Sequence, residues 1–118
     1  MKIHEIALGE GRARACLSAH YLGDNLIVCI FNENAHIGAV AVGEYDQKEK
    51  RTSASVITRM GHKDDIVAQR AAHSISKFIK RAVCVVVGIH VDKITKGEIA
   101  DILENTDRLV DEFLAKCL

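Results

Sequence analysis

The sequence predicts an α+β fold, a mostly antiparallel sheet of about six strands in the order βββββαβα with two helices packed on one face. Three observations lead there. The first half of the chain alternates apolar and polar residues or carries short apolar runs, as strands do. From Asp64 the apolar residues recur at helical spacing. A further short apolar run and a second helical stripe then complete the chain. The 118 residues are expected to form a single domain, 1–118, which can bury roughly two thirds of its unfolded surface.

Lys2 to Leu8 is short and β-compatible, and Gly9-Glu10-Gly11 turns the chain. From Arg12 to Tyr21, Ala13, Ala15, Leu17, Ala19 and Tyr21 share one side. Arg12, Arg14, Ser18 and His20 share the other, with Cys16 as an apolar exception. Period two of this kind means a strand with one wet face. Leu26 to Phe31 is unbroken and apolar, the pattern of a strand buried on both faces. Asn32-Glu33-Asn34 is the next turn. His36 to Tyr45 reads as a long strand holding Gly38 and Gly43, where a missing side chain leaves room for a backbone, a bulge or a ligand. The charged loop Asp46 to Arg51 is expected to be a solvated hairpin tip before a fifth strand, Thr52 to Met60.

Asp64 to Arg81 places Val67, Ala71, Ile75, Phe78, Ile79 and Ala82 on one helical face. Arg70, His73, Lys77 and Lys80 take the other. Acids at the start and bases at the end suit the helix dipole. Val83 to Val91 is a second all-apolar strand. Glu98 to Cys117 is the last helix, roughly 30 Å long. Thr95 and Glu98 have the spacing of a capping box. Ile99, Ile102, Leu103, Leu109, Val110, Phe113, Leu114 and Cys117 form its apolar stripe. Thr52 to Val91 would make a right-handed crossover if its strands were parallel neighbours. The runs Leu26–Phe31 and Val83–Val91 are apolar on both faces, yet only two helices exist to cover the sheet. A second layer is needed, and a homodimer supplies it.

Composition excludes several functions. Sixteen basic and sixteen acidic residues cancel, so no strong field draws nucleic acid or an anionic membrane. Aromatic residues are 4%, too few for the stacking platforms of single-stranded nucleic-acid binders. No apolar stretch reaches membrane-spanning length, and no basic start leads into an apolar run as in a signal peptide. Cys16, Cys29, Cys84 and Cys117 form no CxxC pair. Cys29 and Cys84 read as small core residues, and a reduced cytoplasmic compartment is expected.

Three of the six histidines stand beside glycine at element boundaries: His36-Ile37-Gly38, Gly61-His62-Lys63-Asp64 and Gly88-Ile89-His90-Val91-Asp92. Ligands favour the end of a strand and the start of the next helix. Gly61 can turn with positive φ, the following N–H groups can hold a phosphate or carboxylate, and Lys63 adds charge. The plainer reading is a turn at Gly61, with Asp64 or Asp65 meeting the dipole. His90 interrupts an apolar strand and Asp92 shares its parity. That pair either contacts a ligand or is an oriented, ligand-free pair. His36, His62 and His90 lack any spacing that demands zinc, so no metal is expected. There is no GxSxG elbow, Walker loop or GxGxxG. His4, His20 and His73 are expected to be solvated, and a solvated face is the commoner explanation for Arg12 with Arg14.

The strings His36-Ile-Gly-Ala-Val-Ala-Val-Gly-Glu-Tyr45, Ser55-Val-Ile-Thr-Arg-Met-Gly-His-Lys-Asp-Asp65 and Gly88-Ile-His-Val-Asp-Lys-Ile-Thr95 resemble the LpdD-like domain family. That family is named for the small D-type accessory subunit of gallate decarboxylase and described as a prenylated-flavin chaperone domain. The resemblance runs from about the second strand to the last helix. It implies an accessory protein rather than an enzyme, one that holds, delivers or protects prenylated FMN, or FMN transiently, for a separate flavin-dependent decarboxylase. Gly61, His62, Lys63, His90 and Asp92, with His36, become the candidate cofactor contacts. Tyr45 and Phe31 are the aromatic residues nearest in sequence, which favours transient handling over tight binding. The alternatives are a homodimeric structural or assembly-chaperone module without a small-molecule ligand, and a small metal-dependent hydrolase built on the histidines.

Overall fold

The structure, a computed structural model, describes residues 3–60 and 64–118. In chain order the elements are β1 (Ile3–Leu8), a 3-10 turn (Gly11–Ala13), β2 (Ala15–Leu22), β3 (Asn25–Phe31), β4 (Ala39–Asp46), β5 (Arg51–Thr58), α1 (Asp65–Ile79), β6 (Val83–Gly88) and α2 (Lys96–Lys116). This is the α+β layout and the βββββαβα order that the sequence predicts. The strands form one sheet in the order β1-β2-β3-β6-β4-β5. Every neighbouring pair is antiparallel except β3 with β6. β5 and β6 are separated by β4, so the condition for a neighbouring crossover is not met. The connection through α1 instead passes over β4.

Both helices lie on one face. α1 packs on β4, β5 and β6, α2 packs on β1, β2 and the 3-10 turn, and the two helices touch. Beneath them the strands supply alternate residues, among them Leu17, Val28, Ile30, Ala41, Val85 and Val87, all fully buried. Val67, Ala68, Ala71, Ala72, Ile75 and Ser76 line the buried stripe of α1. The buried Ser76 hydroxyl donates to Arg81 O at 2.8 Å, which satisfies it. Phe78 is exposed, contrary to the sequence reading. It stands at the edge of the stripe in the last turn, beyond the reach of the sheet. Ile99 is likewise exposed, while Ile102, Leu109, Val110 and Phe113 are buried. The capping box forms: Glu98 N donates to Thr95 Oγ1 and Thr95 N to Glu98 Oε1, each at 3.1 Å.

α1 comes close to the sheet because Gly43 has no side chain. A Cβ there would stand 2.4 Å from Ala72 O. Gly43→Ala should therefore lower stability by about 1–3 kcal/mol through overpacking. Urea unfolding checks it, as a drop in midpoint at constant slope.

Several boundaries differ from the sequence reading. Arg12 and Ala13 lie in the 3-10 turn, not in a strand, so Arg12 and Arg14 share no strand face. His36 and Gly38 precede β4, and His90 and Asp92 follow β6, so apolar runs outlast the hydrogen-bonded ladder at these ends. The loop between β4 and β5 is the exposed hairpin tip expected from Asp46 to Arg51. β3 and β6 are buried on one face only: Leu26, Val28, Ile30, Val83, Val85 and Val87 are covered by the helices, whereas Ile27, Cys29, Cys84 and Val86 point to the other face and are half-buried. Cys29 and Cys84 are thus outside the helix-covered core. His4 is not solvated. It meets Phe113 edge-on at 6.1 Å between centroids, and its buried Nε2 has no hydrogen-bond partner among the described residues. No helix among the described residues is long and apolar enough to cross a membrane.

Candidate functional site

β3 and β6 are parallel, so their carboxyl ends emerge side by side. In open sheets of this kind ligands bind just beyond such ends. The loop after β3 and the loop after β6 are joined there by one buried side chain. Asn32 Nδ2 donates to His90 O at 2.9 Å. Its Oδ1 accepts from His90 N at 3.3 Å and from Asn34 N at 3.1 Å. Asn34 Nδ2 adds a bond to His90 O at 3.1 Å. Both loops are therefore held by carboxamides at a point where neither has a ladder partner.

Gly38 and Gly88 serve close approach rather than unusual backbone angles. A Cβ on Gly88 would lie 1.7 Å from His36 O, and one on Gly38 1.8 Å from Asp64 Oδ2. The loops pass within contact because nothing protrudes from these positions. The result is a small polar cluster. His36 Nδ1 donates to Asn34 O at 2.9 Å, and its Nε2 faces Asp64 Oδ2 at 3.5 Å. The buried Asp64 also accepts from Ile89 N at 3.4 Å through Oδ1. His90 Nε2 lies 2.8 Å from Asp92 Oδ1. The two imidazoles meet edge to face, 6.5 Å apart.

Arg12 braces the rim. It donates to Asp92 O and pairs with Glu98 Oε2 at 2.9 Å, tying the 3-10 turn to the His90 loop and to the first turn of α2. Arg14 points instead to Cys16 Sγ at 3.6 Å.

Of the candidate residues, His36, His90 and Asp92 come together. Gly61, His62 and Lys63 lie outside the described residues, although the adjoining Asp64 is part of the cluster. Phe31 ends β3 opposite Gly88. Tyr45 is at the far end of β4 beside Lys80, whose Nζ is 5.6 Å from its ring centroid, so it is not near the site. The sequence reading passed over Asn32 and Asn34 as turn formers. Two carboxamides directly after a buried strand are also a means of bonding a second loop, and that signal was present. Asp64, in the sequence the end of the Gly61–Asp64 motif and a partner of the helix dipole, in addition accepts from Ile89 N.

The cluster adjoins a hollow of about 70 Å³ lined by Gly11, Arg12, Arg14, Cys16, Asn32 and Glu33. A larger cleft of about 550 Å³ lies elsewhere, between α1, α2 and β5, crossed by the Arg70–Asp107 ion pair. The polar convergence and the larger volume thus do not coincide. The converging His36, His90, Asp64 and Asp92 mark the site, whereas in the larger cleft the charged Arg70 and Asp107 are occupied with each other. Among the described residues no group of three His, Cys, Asp or Glu side chains is placed to hold a metal ion.

Comparison with known proteins adds three findings. The profile of the family described as the prenylated flavin chaperone LpdD-like domain matches residues 9–118. Protein LpdD of Lactiplantibacillus plantarum is 29% identical over 92 residues, covering 78% of this chain and 68% of that protein. A chain from the crystal structure of a chaperone complex for yeast 20S proteasome assembly superposes with a TM-score of 0.63 over 98% of both chains, at 14% identity. At that identity the likeness is one of fold.

Proposed function

We propose, since this chain belongs to the prenylated flavin chaperone LpdD-like domain family, that it is an accessory protein which receives prenylated FMN, or FMN transiently, and passes it to a separate flavin-dependent decarboxylase. The decarboxylase performs the reaction, and the working form of the accessory protein is a homodimer. The observation that carries this reading is the meeting of His36 and His90, with Asp64 and Asp92, beyond the ends of β3 and β6.

The chemistry of the donor set fits the polar part of a flavin. Its pyrimidine edge sets one N–H donor between two carbonyl acceptors, and imidazoles, carboxylates and carboxamides can answer both. Gly61, His62 and Lys63 directly precede Asp64 in sequence, Asp64 is the N-cap of α1, and a phosphate suits a helix N-terminus. The described residues offer no aromatic wall, and the adjoining 70 Å³ hollow is far below the ~300 Å³ at which ordinary ligand pockets begin. A seat this shallow leaves the isoalloxazine ring open to a second protein, which suits transfer better than storage.

Titration with FMN and with prenylated FMN, followed by absorbance and fluorescence, tests the reading. Saturable binding is expected. His36→Ala combined with His90→Ala should raise Kd by about tenfold or more, through lost polar contacts. An unchanged Kd in a double variant with wild-type circular dichroism would overturn the assignment.

The helix-free face of the sheet favours a second reading, a structural or assembly module with no small-molecule ligand. In that case neither flavin binds the wild-type chain and the double variant changes nothing.

A further inference from the structure

We propose, building on the homodimer of the preceding reading, that the helix-free face of the sheet is an isologous interface, covered by the same face of a second copy of this chain. Two rows of side chains run across its centre. Cys29, Val86 and Val40 are in register, and so are Ile27, Cys84 and Val42. Val42 is 42% exposed, and Ile57, which extends the first row onto β5, is 76% exposed. No charged side chain stands in this centre. Glu5, Glu44 and Arg51 are at its margins.

Three features select a second copy as the occupant. The first is extent. Six strands span about 24 Å at ~4.8 Å spacing, and eight-residue strands run about 26 Å. The projected face is thus about 600 Å², which approaches the ~800 Å² per partner of a standard interface once side-chain relief is added. The second is charge. The chain has a formal net charge of zero, so like copies approach without repulsion. A strongly acidic or basic partner would find no complementary charge at the centre. The third is layering. Two such sheets stack about 10 Å apart with helices outside, each supplying the missing cover of the other. The largest exposed apolar patch on a protein is often a functional surface.

The interface carries its own reporters. Cys16, Cys29 and Cys84 point to this face, whereas Cys117 is on the α2 side, packed against the core. Burial, and secondarily the neighbouring Cys84, push the Cys29 thiol up, against a hydrogen bond from Ser18. Cys84, in register with Val42 at the centre of the face, is the probe.

The test uses the full chain in reducing buffer. Sedimentation equilibrium should show a dimer, and Val42→Glu should weaken association by about a hundredfold or more, because it places an unpaired carboxylate in the dry centre. Bulky maleimide should label Cys84 at least about tenfold faster in Val42→Glu than in wild type, with Cys117 labelled equally in both. Circular dichroism confirms the fold, and Ile57→Lys is a second disrupting variant. A wild-type monomer with equal Cys84 labelling overturns the proposal. So does a dimer that survives both variants, which would put the contact elsewhere. A monomer whose Cys84 is shielded only on addition of a decarboxylase gives the face to that enzyme and overturns it too. Flavin titration of Val42→Glu keeps the two readings apart: a dissociated chain that still binds flavin supports the ligand site whatever the interface, and a flavin-free dimer does the reverse.

Discussion

Gly88→Ala should destabilise the protein by about 3 kcal/mol or more and abolish flavin binding together with it. The added methyl would stand 1.7 Å from His36 O and 2.5 Å from His36 C. Both obstacles are backbone, so no side chain can swing aside. Relief requires the His36 loop to move away from β6, and that movement separates His36 from His90. Chemical denaturation measures the first effect, and flavin titration of the folded fraction measures the second. A variant with wild-type midpoint and wild-type Kd would show that the loops do not pack as described. Gly38→Ala meets a different obstacle, the Asp64 carboxylate at 1.8 Å. A side chain can yield, so its cost in stability should be smaller and its effect on Asp64 larger.

Asn32→Ala should cost about 1–3 kcal/mol, because it leaves His90 N and Asn34 N without their acceptor at a part-buried junction. His90 O keeps its bond from Asn34, which limits the loss. Asn32→Asp separates the contributions. Its carboxylate can still accept from both N–H groups, but it cannot donate to His90 O. It should therefore fall between wild type and Asn32→Ala in urea midpoint. Equal loss in the two variants would mean that the donated bond to His90 O dominates the junction.

The helices were legible because their signals are local. The Thr95–Glu98 box and the stripe through Ile102, Leu109 and Phe113 need no knowledge of the rest of the chain. The hairpin tip between β4 and β5 is equally local. Strand order was not legible. Period two tells which side chains share a face, and it is silent on which strand lies beside which. β6 could have joined either edge. Its place between β3 and β4 follows from tertiary packing. The same limit applies to the site. His36, His90 and Asp92 were marked by their glycines, and for Gly38 the sequence left a backbone, a bulge or a ligand open as the reason for the missing side chain. Their cause is the passage of one loop across another, a contact between residues about fifty positions apart in sequence. Asn32 was hidden for a related reason: a turn residue and a staple between loops have the same sequence appearance.

The position of β6 has a consequence for the order in which the molecule is made. β1, β2 and β3 form a meander of adjacent antiparallel strands, and β4 and β5 form a hairpin. Neither piece pairs with the other; β6 alone bridges them. During synthesis the two pieces can fold early from near-neighbour contacts, but they must wait for α1 and β6 before becoming one sheet. The joining step brings together residues far apart in the chain, such as Leu26 with Val83, so it carries the largest loop-closure cost and should set the folding rate. The β3–β6 junction, and with it the histidine cluster, is completed only in this last step. A chain caught before it would expose strand edges on both pieces, and would be both inactive and prone to associate.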